Sequence, residues 1–104
     1  MKLWIDDLRP APKGYAWCKS VNEAKDTILL FELYATVNEG YKVELIDLDY
    51  DSGDYVSEGG DYNRLLDWLE ETKRNYPIHI HSKNPVGVEN MRRIIRRNGW
   101  TEVK

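Results

Sequence analysis

The segment Tyr41 to Gly53, YKVELIDLDYDSG, constrains the fold of this chain more than any other. Val43, Leu45, Ile46 and Leu48 form a strand-like run that ends in a comb of acids, Asp47, Asp49 and Asp51, followed by Ser52-Gly53. An apolar strand that empties into carboxylates at its C-terminal end suits the interior of a parallel sheet, whose carboxyl edge carries the site. Crowded carboxylates repel one another unless they share a cation, and a hard divalent metal is the natural partner. An Asp-rich turn, with side chains bonded to their own backbone, fits the same letters. The rest of the chain bears on which reading holds.

Before this segment, Lys2-Leu3-Trp4-Ile5 reads as a short strand ending in Asp6-Asp7, a second place where two acids could hold a cation or sit in a solvated turn. Leu8 to Gly14, with Pro10, Pro12 and Gly14, is a loop, and Tyr15 to Lys19 a second strand. Ser20-Val21-Asn22-Glu23 has the form of a capping box, and Val21, Ala24, Ile28, Phe31 and Ala35 recur at helical spacing, which predicts a helix from Val21 to about Val37. Asp51 to Asp61 is a polar loop, and Leu65, Leu66, Trp68 and Leu69 mark a second helix from Tyr62 that fades near Asn75. Ile78-His79-Ile80-His81 is a strand with both isoleucines on one face and both histidines on the other. Asn84-Pro85 opens a third helix as N-cap and first position, Asn98-Gly99 stops it, and Trp100 to Val103 is a last edge strand.

Strands alternating with helices predict an α/β domain with a mainly parallel five-stranded sheet of flavodoxin-like order 2-1-3-4-5. No helix fits between the first two strands, so the three helices fall on one face and the other is open, covered by the Leu8–Gly14 loop, or used for association as a homodimer. That first connection is short for a parallel crossover, which usually takes a dozen or more residues. At 104 residues this is one domain, with four Trp and seven Tyr to anchor a small core. A net charge of −3 gives no basic field for duplex nucleic acid, and a single cysteine rules out an internal disulfide. The absence of a signal-like run and of an apolar span points to a cytoplasmic protein without a membrane partner.

The predicted topology brings Asp6-Asp7, Asp49 (with Asp47 and Asp51 nearby) and His81-Ser82 to one edge, onto which the third helix also opens. Acids for a metal, an imidazole for proton transfer and a helix terminus for an anion suggest phosphoryl chemistry. His79, in mid-strand, reads as a packed histidine or as half of an H-x-H metal pair. His81, at the strand end, reads as an acid/base or a ligand. Ser82 could hold a phosphoryl oxygen or cap a turn. Arg9, Arg92 and Arg93 could reach a phosphate, although the arginines of the third helix also suit a solvated face near its C-terminal dipole end.

Three strings, W-I-D-D-L-R-P at Trp4 to Pro10, L-D-Y-D-S-G at Leu48 to Gly53 and I-H-I-H-S-K-N-P-V-G-V-E-N-M-R-R at Ile78 to Arg93, resemble the receiver domains of two-component signalling. The likeness is closer to the receiver-like cyclic-phosphate processing (cREC) family. The resemblance implies a receiver-like sheet lacking its first helix, and action on cyclic phosphates at nucleotides or RNA ends. It assigns site positions to Asp6, Asp7, Arg9, Asp49, Asp51, His79, His81, Ser82 and Asn84.

Taken together, the expected machinery is Asp6, Asp7, Asp49 and Asp51 for Mg²⁺ or Mn²⁺, and His81, His79, Asp49 and Ser82 for the chemistry. Arg9, Asn84, Gly87 and Arg93 are the expected phosphate contacts. The family usually has His where this chain has Tyr50, and Asp47 is an added acid. No lysine ends a fifth strand ahead of a helix, as a signalling receiver would require. A metal-dependent phosphodiesterase is therefore the first expectation. A phosphoacceptor switch, or a module that binds a cyclic nucleotide or a protein without turnover, are the alternatives.

Overall fold

Four strands build one sheet: β1 (Lys2–Ile5), β2 (Tyr15–Cys18), β3 (Leu45–Leu48) and β4 (Ile78–Ile80), all parallel, in the order β2-β1-β3-β4. The computed structural model describes residues 1–104. Three helices complete it: α1 (Val21–Ala35), α2 (Asn63–Glu71) and α3 (Pro85–Asn98). α1 packs on α2, and α2 on α3. Alternation sends Leu3, Ile5, Ile46, Leu48 and Ile78 into one core with Val21, Ala24 and Ile28 of α1, Leu65, Leu66 and Leu69 of α2, and Met91 and Ile95 of α3. Lys2, Trp4, Asp47 and His79 alternate with these residues on the opposite sheet face.

Caps bound the helices as the letters suggest. The Ser20 hydroxyl accepts from the Glu23 N–H, the Glu23 carboxylate returns to the Lys19 N–H, and the Asn84 side chain accepts from the Gly87 N–H. Gly99 closes α3 in the left-handed conformation, φ 67°.

The short connection from β1 to β2 does form a parallel pair. Asp6 to Gly14 returns without a helix because the strands it joins are only four residues long. Such a strand spans ~13 Å, and a nine-residue link reaches ~30 Å when extended. The Asp6 carboxylate tightens the start of the return by accepting from the Leu8 and Arg9 N–H groups. The Trp4 indole N–H then donates to the Arg9 carbonyl, drawing the loop back to the otherwise open face.

The expected fifth strand is not formed. Glu102 makes a single parallel bridge to Ile78, held by Ile78 N–H to Thr101 O and Val103 N–H to Ile78 O. The next rung would use the Val103 carbonyl, and that oxygen instead lies 2.8 Å from Nδ1 of His79. A side chain has taken the acceptor that the ladder needs.

Candidate functional site

Backbone pairing carries the sheet register one step past the strand ends. Asp49 N–H donates to the Ile5 carbonyl and His81 N–H to the Leu48 carbonyl, each at 3.0 Å. Asp6, Asp49 and His81, distant in sequence, are thereby set on one rim.

Asp6 is the hub of that rim. It is 1% exposed, and each of its oxygens meets two partners. Oδ1 accepts from the N–H groups of Leu8 and Arg9, and Oδ2 accepts from Arg9 Nε and faces His81 Nε2, all at 2.9 Å. Burial alone would raise its pKa, but the two backbone donors, His81 and the Arg9 guanidinium together outweigh burial and hold it below the ordinary value.

His81 is gripped from both sides. Its Nδ1 lies 2.6 Å from Asp47 Oδ1, its Nε2 lies 2.9 Å from Asp6 Oδ2, and its ring stacks on Trp4. Each ring nitrogen thus faces a carboxylate oxygen. Neither nitrogen is left free for an outside group while both contacts stand.

Asp7 and Asp49 complete the acidic group. One oxygen from each of Asp6, Asp7 and Asp49 lies within 4.8 Å of the others. Asp49 accepts from its neighbour's Tyr50 N–H through Oδ1 and from Arg9 through Oδ2. Arg9 therefore bridges two of the three acids, and these neighbours raise its own pKa against the opposing effect of burial. Asp7 has no such cation. Burial raises its pKa, and the charges of Asp6, Asp49 and Asp54 raise it further. Its carboxylate lies against Gly53, φ 54°, where a Cβ would overlap Asp7 Oδ2. Three hard oxygen donors with an excess of negative charge match the chemistry of Mg²⁺ or Mn²⁺.

The other expected site residues fall around this group. Asp51 is exposed and outside the triad, with one oxygen 3.4 Å from Asn84 Nδ2. The Ser82 hydroxyl accepts from the Asn84 N–H, and Asn84 caps α3. Pro85 lacks an N–H and the Gly87 N–H is capped, so the start of α3 offers an anion fewer donors than expected. Gly87 lies beneath Tyr50, and a Cβ there would overlap the tyrosine ring. His79 faces the Val103 carbonyl through Nδ1. Arg92 pairs with Glu102, whereas Arg93 is exposed and forms no ion pair.

Two contacts of His81 escaped the sequence reading, the Asp47 carboxylate at Nδ1 and the Trp4 ring stacked on it. The signal for both was parity. Asp47 and Asp49 share one strand face, and in parallel register Trp4, Asp47 and His79 form one row across the sheet.

Neither a curated protein nor a solved structure matches the chain significantly. A family match does exist and spans residues 1–97, under the description Cyclic-phosphate processing Receiver domain. With its parallel sheet, its three helices and its acidic rim, the chain belongs to the family of cyclic-phosphate processing receiver domains.

Proposed function

We propose that this domain hydrolyses a cyclic phosphodiester, on a nucleotide or an RNA end, with Mg²⁺ or Mn²⁺ bound by Asp6, Asp7 and Asp49. The observation that supports this reading is the meeting of those three carboxylates within 4.8 Å beside an imidazole held between Asp6 and Asp47. Water adds to phosphorus, one ring P–O bond breaks, and the released oxygen takes a proton to leave a phosphomonoester. The metal, when bound, supplies Lewis-acid stabilisation of the phosphoryl oxygens.

The chain's own residues do the rest. Asp47 anchors His81 through Nδ1, so Nε2 is the nitrogen that turns to the reacting oxygens. Asp6 can release Nε2 at small cost because Arg9 Nε stays on the same oxygen. Arg9 uses Nε and one terminal nitrogen on the acids, and its remaining N–H donors are free for a phosphate oxygen. Ser82 and Asn84 line the approach to α3.

The test is a panel of 2′,3′- and 3′,5′-cyclic nucleotides incubated with each divalent metal and followed by chromatography. Conversion to monophosphate, abolished by chelation and by His81→Ala, is the expected result. An intact panel under every metal overturns the proposal. Acetyl phosphate followed by intact mass would reveal a stable aspartyl phosphate if the domain were a switch. Calorimetry would reveal tight binding without turnover if it were only a binding module.

A further inference from the structure

α2 and α3 each bury one apolar face and present charge outward, but α1 is apolar on two sides. Val21, Ala24 and Ile28 face the core. On the opposite side Leu30 and Leu33 follow one another at helical spacing, with Leu29 beside them and Val37 in the turn just past the helix, and Leu33 and Val37 are 64% and 87% exposed. Asp26 begins the same stripe one turn earlier. The stripe runs into a cleft of about 360 Å³ shared by Leu30, Glu23, Asp26 and Glu58. None of these three acids forms an ion pair, and the bases next to them in the sequence, Lys19 and Lys25, lie over Trp17 and Trp68.

We propose that this face of α1 docks a basic amphipathic helix of a partner protein, its apolar stripe on Leu30, Leu33 and Val37 and a lysine or arginine in the Glu23–Asp26–Glu58 cleft. An apolar helix face rimmed by charge is the pattern that helix-in-groove recognition uses. Charge selects the occupant. A second copy of α1 brings only Lys25, which lies over Trp68 and off this stripe by helical spacing; its last turn carries no base, and Glu39 follows it. Pairing two copies in either direction would set acids against acids or against leucine. A basic helix satisfies the stripe and the cleft together.

The test uses the intact domain and a synthetic Leu/Lys peptide of about 15 residues, long enough to cover α1, with a Leu/Glu peptide of the same pattern as control. The expected result is binding of the first peptide, with amide shifts in α1 and around Glu58. Leu33→Ser and Glu58→Lys are each expected to weaken it about tenfold or more, an equilibrium shift of ~1.4 kcal/mol. Glu71→Lys, the same charge change on α2, is expected to leave binding within about twofold, which separates a local site from general attraction to an acidic protein. Absent binding, shifts that avoid α1, equal effects of Glu58→Lys and Glu71→Lys, or equal affinity for the Leu/Glu peptide would each overturn the proposal. So would sedimentation showing a dimer that Leu33→Ser dissociates. All three residues are exposed, and unchanged circular dichroism confirms that the variants fold.

Discussion

The imidazole of His81 lies flat on the indole of Trp4, with ring centroids 3.8 Å apart and planes 4° from parallel. The contact joins β1 to the residue just past β4 across the strand between them. With carboxylates at both ring nitrogens, the stack sets the plane in which His81 can turn.

Trp4→Leu removes the stacked ring and the indole bond to the Arg9 carbonyl together. Aromatic pairs contribute about 0.5–1.5 kcal/mol beyond burial, and a hydrogen bond about 1 kcal/mol. The expected loss is about 2 kcal/mol, read from the urea midpoint at constant slope. Trp4→Phe keeps a ring under His81 and is expected to lose about half as much.

Asp47→Asn keeps the shape of the side chain but removes the charge that anchors His81 Nδ1. Turnover of a cyclic phosphate is expected to fall by roughly 10²-fold or more, the usual scale for acid–base assistance. The loss should sit in kcat with KM little changed, and the pH–rate profile should move. A variant that lost KM alone would mean that Asp47 shapes the substrate pocket instead of setting His81.

Asp6 and Asp7 are expected to give opposite pH signatures. The pKa of Asp6 is lower folded than unfolded, so it stabilises the fold above the usual carboxylate value of 3.8, and this contribution is lost as pH falls through the lower folded value. The pKa of Asp7 is raised, so its ionisation destabilises the fold as pH rises from 3.8 through its folded value, and the penalty is complete at neutral pH. Asp7→Asn should therefore stabilise the metal-free protein at pH 7 by about 1 kcal/mol. It should also weaken the rise in melting temperature that Mg²⁺ or Mn²⁺ produces in the parent chain. Thermal scans at several pH values with and without metal read both effects.

Gly87→Ala should reverse the usual sign of a helix substitution. Alanine normally gains about 1 kcal/mol over glycine within a helix. Here its methyl meets the Tyr50 ring, so we expect net destabilisation. Tyr50→Ala clears the space, and in that background the same change should be neutral or favourable. A double-mutant cycle on the two positions measures the coupling directly.

Much of this was legible in the letters. The order of elements, the Ser20 and Asn84 caps and the meeting of Asp6, Asp49 and His81 follow from alternation, capping chemistry and the right-handed parallel crossover. What escaped depends on side chains answering one another. Nothing in Trp100 to Val103 shows that His79 will take the carbonyl needed to extend a fifth strand. Arg9 read as a free phosphate contact, and only the folded loop shows it bridging Asp6 and Asp49. The letters placed both the Asn84 cap and an anion at the start of α3, and the bond from the Gly87 N–H to Asn84 takes a donor that the anion would need.

The nine-residue return between β1 and β2 has a consequence for change in this domain. Its first carboxylate ties together the loop that follows it, a guanidinium and an imidazole from the far side of the sheet. Lengthening that link or recasting its turn would disturb all three anchors at once. Change around this rim is better accommodated at the Tyr50–Gly87 contact, where two residues can be exchanged as a pair and the knot is left untouched.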